Sequence, residues 1–191
     1  MEFDPRSELI SISNDDAAAC VLDLEKGLVL LIKAIEACRR RNEGRPRSAA
    51  LLAVSIDNMQ SVTDLFGPHV TEPVFTGLAS RIKECLRSSD LIARLSKNQL
   101  GVVLPYFRFN GAAVVIKRIL ALRAKPTLAT HFGTVDLKFS VGSVFFPDPN
   151  LGTADIIIRA QAAVGYERTA NQRAVELTRS VREQVNTLRS A

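Results

Sequence analysis

The sequence predicts an α/β (α+β) sandwich, in which helices flank a central mixed β-sheet. Three observations indicate this class: a continuous apolar run of strand length at residues 49–56, two apolar stretches at 91–95 and 100–104 joined by a polar turn, and several segments with apolar residues at helical spacing. Because strands alternate with helices and a hairpin interrupts the series, we expect a sheet packed between helical layers.

Length, charge and cysteine content narrow the class of protein. The 191 residues suffice for one sizeable domain, and the 25 Lys and Arg residues only slightly exceed the 20 Asp and Glu residues. The basic residues do not interleave with aromatic ones, which disfavours nucleic-acid binding, and we expect no membrane segment. Cys20, Cys38 and Cys85 have neither zinc-site nor disulfide-framework spacing, which indicates a reduced, cytoplasmic setting.

The first half of the chain predicts a leader, a helix, a buried strand and a short helix. Residues 1–22 are mixed in character and are interpreted as a leader or linker remnant. Asp23 is expected to cap a helix whose apolar face comprises Leu28, Leu31, Ile32, Ile35 and Cys38. The run at 49–56 predicts a strand buried on both faces. Asp57 is then expected to cap a short helix that ends at Gly67.

The second half predicts four more helices, a hairpin and one further strand. A helix is expected where Val70, Val74, Leu78 and Ile82 repeat, and the hairpin of residues 91–104 follows it. Residues 111–123 predict a helix, residues 124–133 a loop, and the alternation from Val135 to Val141 a half-buried strand. A helix from Thr153 is expected to bury Ile156, Ile157, Ala160 and Val164. A last helix, from about Ala174 to Arg189, carries a sparse apolar stripe of Leu177, Val181, Val185 and Leu188.

Four segments, in order and at matching spacing, resemble the GGDEF domain, the diguanylate cyclase fold of bacterial signalling. The resemblance covers residues 23–175, with residues 176–191 as a separate C-terminal helix or linker, and it implies a nucleotidyl cyclase-like fold. The matching segments are DLEKGLVLL (23–31), SIDNMQSVTDLFG (55–67), RLSKNQLGVVLP (94–105) and FSVGSV (139–144).

Within this resemblance, the catalytic positions depart from the family pattern. The family's first magnesium-binding acid corresponds to Ser55, and the metal-binding acid of the signature turn corresponds to Asn98. Ser96 and Lys97 stand where two glycines let the backbone approach the phosphates, and Gln99 follows Asn98 where the signature has glutamate. Magnesium is a hard cation that favours carboxylate oxygens. The resemblance therefore implies a degenerate domain that is not an enzyme, with no magnesium site and no cofactor.

Other family positions are also changed. The asparagine that reads guanine corresponds to Thr63, and its aspartate partner has only Glu72 as a longer substitute. Near the C-terminus, Arg168 could replace the family's phosphate-binding lysine, but Gln172 stands where the family has arginine. GTP binding without turnover is therefore the least favoured interpretation.

One charged motif of the family is kept. Arg87 and Asp90 match the R-x-x-D motif that binds the product, cyclic di-GMP, and Arg118 falls where many members place a second arginine of that site. Arginine can fork onto phosphate or onto the N7 and O6 edge of guanine, and aspartate can accept from guanine donors. The alternative is a local surface ion pair of Arg87 with Asp90, which would contribute little.

Two function classes follow. In the first, the chain is an inactive GGDEF signalling domain that binds cyclic di-GMP at Arg87, Asp90 and Arg118 as a receptor. In the second, it is a non-binding dimerisation or docking domain that regulates an EAL phosphodiesterase or another signalling protein. The stripe of the last helix fits a linker or a coiled coil, and whether the chain forms a homodimer is left open.

Overall fold

A computed structural model describes residues 21, 23–42, 48–107, 111–146, 148, 150–167 and 169 of the chain. The expected leader, apart from Val21, and the expected tail helix from residue 174 lie outside the described residues. Arg168 and Gln172 also lie outside them.

The described part contains five helices and six strands. In chain order they are α1 (Leu24–Asn42), β1 (Ser48–Ile56), α2 (Met59–Phe66), α3 (Thr71–Lys83), β2 (Leu91–Ser96), β3 (Gln99–Phe107), α4 (Gly111–Ala121), β4 (Thr127–Thr130), β5 (Gly133–Asp136), β6 (Phe139–Phe146) and α5 (residues 153–167). Short 3-10 turns cover Pro68–Val70 and Leu122–Ala124. A membrane span would need a longer or more apolar helix than any in the described ranges.

Strands β2, β3, β1 and β6 form a four-stranded sheet in that order, and each neighbouring pair is antiparallel. The α/β class is confirmed, but the expected mixed sheet is wrong. Strand β2 runs parallel to β1, as the alternation of strands and helices predicts. Because β3 inserts between them, these two strands are not neighbours, and the pairings follow the hairpin instead.

Two apolar clusters cover the opposite faces of this sheet. Along β1, Leu52 and Val54 belong to one cluster, while Leu51 and Ala53 belong to the other. The first cluster packs against α2, α3 and α4, and the second against α1 and α5. The run at 49–56 is therefore buried on both faces, as its composition predicts.

Helix α1 also follows its predicted pattern. The Asp23 carboxylate accepts the backbone N–H of Lys26 at 3.0 Å, which caps the first turn and lowers the Asp23 pKa. Leu31, Ile35 and Cys38 are buried against the sheet. Burial raises the pKa of the Cys38 thiol to about 12, although the nearby Arg41 charge opposes the shift.

Residues 124–133, expected to form a loop, contain the first strand and the turn of a second hairpin. Strands β4 and β5 pair antiparallel and form a separate two-stranded sheet. Gly133 has a φ of 128°, which glycine adopts without the cost that a Cβ would bring. The Arg81 guanidinium on α3 donates to the carbonyl oxygens of Lys125, at 2.8 Å, and Thr127, and this holds the hairpin against the domain.

The single strand expected from Val135 to Val141 is wrong, because β5 ends at Asp136 and β6 begins at Phe139. The Asn58 side chain causes the break. Its amide donates to the Asp136 carbonyl at 2.7 Å, and its oxygen accepts the Lys138 N–H at 2.9 Å. The predicted alternation of burial holds from Val135 to Phe139, but Ser140 and Gly142 are buried as well, so the first half of β6 is buried on both faces and not half-buried as expected.

Asp57 does not cap α2 as expected. The residue that flanks the first turn of α2 is Asn58. The Asp57 carboxylate instead accepts the Ser140 hydroxyl at 2.6 Å, and its backbone N–H donates to the Lys138 carbonyl at 2.7 Å. Asp57 thus joins the end of β1 to the beginning of β6.

Candidate functional site

The segment Arg87–Asp90 forms a tight turn between α3 and β2. The Asp90 carboxylate accepts the backbone N–H of Arg87 at 2.8 Å, and the Asp90 N–H donates to the Arg87 carbonyl at 3.0 Å. The Ser89 hydroxyl makes a longer contact with the same carboxylate, at 3.4 Å. This reciprocal bonding fixes the turn through its backbone and leaves the Arg87 side chain exposed.

The electrostatics of this turn differ from those of a surface ion pair. Among the described residues, the side chains of Arg87 and Asp90 do not approach within 4.0 Å of each other. Burial raises the pKa of Asp90, while the Arg87 N–H, the Arg87 charge and the Ser89 hydroxyl oppose that shift. The Asp90 carboxylate therefore holds the turn through the Arg87 backbone, and the Arg87 side chain is exposed.

Arg118 lies on α4 with its side chain exposed. Burial raises the pKa of the Cys85 thiol, the Glu84 charge adds to the rise, and the Arg118 charge opposes it. Cys85 is two residues before Arg87, so the Arg118 charge acts on the end of α3 that leads into the turn. Arg87 and Arg118 are both exposed, and their use as a ligand site stays a prediction.

The positions that correspond to the family's catalytic turn form a neutral polar cluster at the end of the sheet. Ser55 is fully buried in β1 and pairs with Gln99 across the strands. Gln161 of α5 donates to the Gln99 side-chain oxygen at 2.8 Å, and the Ser96 hydroxyl contacts the same oxygen at 3.2 Å. Asn98 contacts the Ser96 hydroxyl at 3.4 Å. The cluster joins the β2–β3 turn to α5.

This cluster does not suit a magnesium ion. Ser55 and Asn98 are neutral, and the Asp57 carboxylate accepts the Ser140 hydroxyl. Within the described ranges, no three His, Cys, Asp or Glu side chains lie close enough together to hold a metal ion. Magnesium binding in proteins relies on carboxylate oxygens, usually with substrate phosphates, and the residues present do not supply a matching set.

The Arg94 side chain binds the backbone of the β2–β3 turn. Its guanidinium donates to the carbonyl oxygens of Ser96, at 2.7 Å, and Lys97, and it lies 3.3 Å from the ring centroid of Phe75. Burial lowers the Arg94 pKa, and the Glu72 charge opposes that shift. Lys97 is exposed at the tip of the turn, so this turn presents a cation where the family has a glycine.

A clasp between α5 and β6, formed by Glu167, Arg123 and Val141, was not expected from the sequence. The Glu167 carboxylate pairs with the Arg123 guanidinium at 2.7 Å and accepts the backbone N–H of Val141. Arg123 also donates to the Phe139 carbonyl at 3.0 Å. Arg123 and Glu167 are 44 residues apart, so no local pattern reveals the contact.

A family profile matches most of the chain. The profile described as "Diguanylate cyclase, GGDEF domain" matches residues 30–175. The chain belongs to the GGDEF family. Diguanylate cyclase TpbB of Pseudomonas aeruginosa is 29% identical over 113 residues, which is 59% of this chain and 26% of that protein. Uncharacterized protein YhcK of Bacillus subtilis is 27% identical over 100 residues, which is 52% of this chain and 28% of that protein.

Solved structures agree on the fold. The GGDEF domain of TpbB (YfiN) from Pseudomonas aeruginosa has a TM-score of 0.67 at 22% identity, and covers 74% of this chain and 83% of that one. The GGDEF domain of DgcB from Caulobacter crescentus, in complex with c-di-GMP, has a TM-score of 0.63 at 16% identity, and covers 77% and 85%. The expected family is thus confirmed, and the chain spans just over a quarter of the two sequence relatives.

Proposed function

We propose that this GGDEF domain binds cyclic di-GMP at Arg87, Asp90 and Arg118 and acts as a signalling receptor without cyclase activity. The proposal rests on the different positions of the Asp90 carboxylate and the Arg87 guanidinium in the turn. The Asp90 carboxylate bonds to the backbone of Arg87, so the Arg87 guanidinium stays exposed in a fixed turn. Because the backbone of the turn is already ordered, binding a ligand has to order only the Arg87 side chain, which lowers the conformational entropy lost.

The chemistry of the ligand fits these groups. Cyclic di-GMP offers two phosphates and two guanine edges, and a guanidinium can form paired hydrogen bonds with either. Arg118 supplies a second exposed guanidinium, whose charge acts on Cys85 near the end of α3. The burial that raises the pKa of Asp90 also places its carboxylate where solvent screens it less, which strengthens hydrogen bonding to a guanine donor.

The absence of cyclase activity is proposed from the polar cluster. Phosphodiester formation from GTP requires divalent cations that neutralise the triphosphate and activate the attacking hydroxyl. Ser55, Asn98 and Gln99 provide amide and hydroxyl groups that bond within the protein. We therefore expect no magnesium-dependent turnover of GTP.

The second candidate is a non-binding domain that dimerises or docks on an EAL phosphodiesterase or another signalling protein. An exposed aromatic favours it. Phe145 on β6 is 51% exposed and packs edge to face on Phe107, with 5.9 Å between the ring centroids. Exposed aromatic side chains are enriched at protein interfaces. This candidate predicts no affinity for cyclic di-GMP.

Calorimetric titration of the full chain with cyclic di-GMP separates the two candidates. Arg87→Ala is the informative variant, because it removes the guanidinium and keeps the N–H that Asp90 binds. A charged hydrogen bond is worth about 1.5–3 kcal/mol, so affinity should fall by roughly ten- to a hundredfold. Lys117→Ala is the matched control, since it removes one exposed charge from the helix that carries Arg118.

The result for each variant is specific. Lys117→Ala should bind like the wild type, and Arg118→Ala should bind more weakly. Circular dichroism should show unchanged helix content for all three variants. Failure of the wild type to bind, or wild-type affinity in Arg87→Ala, would overturn the receptor proposal and favour the docking domain.

A further inference from the structure

Helix α4 presents a basic surface without acids on the outside of the domain. Residues 91–135 contain seven of the 25 Lys and Arg residues of the chain and none of its 20 Asp and Glu residues. Helices α1, α2, α3 and α5 each carry at least one acid, whereas α4 and the 3-10 turn that follows it carry none. The excess positive charge of the chain is therefore concentrated in this stretch.

The exposed residues of α4 lie on one side of the helix. Ala112, Val115 and Ile119 are buried against the sheet. On the other side, exposed residues follow one another at spacings of three, four and seven, which places their side chains on one face. This face, named the basic strip, comprises Val114, Lys117, Arg118 and Ala121, and it continues to Lys125 after the 3-10 turn.

The charge of the basic strip is not neutralised within the described part of the domain. There, Lys117, Arg118 and Lys125 form no ion pair within 4.0 Å. One acid, Glu84, lies near the strip, since its charge acts on Cys85 as that of Arg118 does. The helix dipole favours acids in a first turn, and α4 has none there, so helix stability does not explain the pattern.

The N-terminal end of α4 adds exposed apolar groups to these cations. Val114 is 46% exposed. Gly111 begins the helix so close to Phe107 that an added Cβ would lie 2.9 Å from the Phe107 Cβ. Phe107 packs on the ring of Phe145, which is 51% exposed. An aliphatic and an aromatic side chain are therefore exposed near the first turn of α4, and the cations follow towards its C-terminal end.

We propose that the basic strip docks the domain on the surface of an anionic phospholipid bilayer. Such a surface carries diffuse negative charge, and each Lys or Arg beside it raises binding by about fivefold. Exposed apolar side chains on a basic helix can enter the boundary between headgroups and acyl chains. Lysine is depleted at protein–protein interfaces, so Lys117 and Lys125 favour a lipid surface over a protein partner.

The docking surface and the proposed ligand site share Arg118, so the two proposals need separate tests. The variants below leave Arg87 and Arg118 unchanged, and loss of vesicle binding in them is therefore independent of cyclic di-GMP. Because the strip is exposed, salt screens its charges, and binding should weaken as ionic strength rises.

The first test is sedimentation of the full chain with vesicles of phosphatidylglycerol and phosphatidylcholine in equal parts. The wild type should sediment with these vesicles and stay in solution with vesicles of phosphatidylcholine alone. Lys117→Glu combined with Lys125→Glu should lower the partition coefficient by at least about 25-fold. Lys33→Glu combined with Arg159→Glu is the matched control. It makes the same change in net charge on α1 and α5, across the sheet from α4, and should lose much less binding.

The second test uses tryptophan fluorescence to identify the side of the domain that meets the lipid. The chain contains no tryptophan, so Val114→Trp introduces a single probe in the basic strip. Ile158→Trp is the matched control, because Ile158 is 62% exposed on α5, on the other side of the sheet. With the anionic vesicles, the emission of Val114→Trp should shift to shorter wavelength, and that of Ile158→Trp should not change.

Three results would overturn the proposal. A wild type that does not sediment with anionic vesicles would leave an acidic protein as the partner of the strip. Equal loss of binding in the two charge-reversal variants would indicate attraction by net charge without a docking face. An emission shift in Ile158→Trp and not in Val114→Trp would place the contact on the opposite side of the domain. Circular dichroism of every variant verifies that the domain remains folded.

Discussion

Gly142 marks the place where the backbone of α5 lies directly on the sheet. A Cβ added at Gly142 would overlap the Ala160 carbonyl oxygen and lie 2.5 Å from the Val164 nitrogen and 2.9 Å from the Ala163 carbonyl carbon. These are backbone atoms, so no rotamer change can relieve the contact. Gly142→Ala should therefore push α5 away from β6 as a unit.

The cost of this displacement can be worked from the contacts. Overpacking of a core costs about 1–3 kcal/mol. Moving α5 also weakens the hydrogen bond from Gln161 to Gln99, at 2.8 Å, and the bond from the Val141 N–H to Glu167, each worth about 1 kcal/mol. The free energy of unfolding should thus fall by about 3 kcal/mol.

Gly165→Ala, on the same helix, is the matched control. An added Cβ there has no neighbour within 4 Å, so helix propensity alone decides the outcome. Alanine should stabilise the helix by about 0.5–1 kcal/mol relative to glycine. Urea denaturation followed by circular dichroism measures both variants. If the midpoint of urea denaturation of Gly142→Ala equals that of the wild type, the close packing of α5 on β6 is refuted.

Three further substitutions probe the turns and the clasp. Arg94→Lys should lower the free energy of unfolding by about 1–2 kcal/mol, because an ammonium group cannot match the fork that binds two turn carbonyls; unchanged urea denaturation would contradict this. Burial raises the pKa of Asp90 in the folded chain, so the folded state binds that proton more tightly, and the stability of the wild type relative to Asp90→Asn should fall as pH rises between the unfolded and folded pKa values. Denaturation of both proteins at several pH values measures this difference in stability. If the difference rises over that interval, the cause assigned to the shift is refuted. Glu167→Gln should lower the free energy of unfolding by about 0.5–1 kcal/mol at low salt and by less at high salt, because its ion pair with Arg123 is partly exposed. If thermal unfolding shows the same loss of stability at both salt concentrations, the contribution of the ion pair is contradicted.

Much of the fold could be predicted because the signals are local. The apolar run of β1, the cap at Asp23 and the polar turn between β2 and β3 all depend on neighbouring residues. The second hairpin could not be predicted in this way. Its strands have four residues each, and Arg81 holds the first of them from a position 46 residues earlier.

The same distinction applies within the candidate site. The motif predicts that Arg87 and Asp90 lie together, and the structure adds that the carboxylate binds the backbone and not the guanidinium. The Gln161–Gln99 bond and the Glu167–Arg123 clasp join segments that are far apart in sequence. Side chains of these types are common on surfaces, so sequence alone gives no reason to pair them.

We propose that the chain recognises the cyclic dinucleotide and does not make it. Two separate calorimetric titrations of the same protein preparation, one with cyclic di-GMP and one with GTP and magnesium, test this most directly. We expect saturable binding of cyclic di-GMP, and neither binding nor conversion of GTP. Formation of cyclic di-GMP from GTP would contradict the absence of catalysis, and a wild-type chain that gives no binding heat with cyclic di-GMP would contradict the receptor.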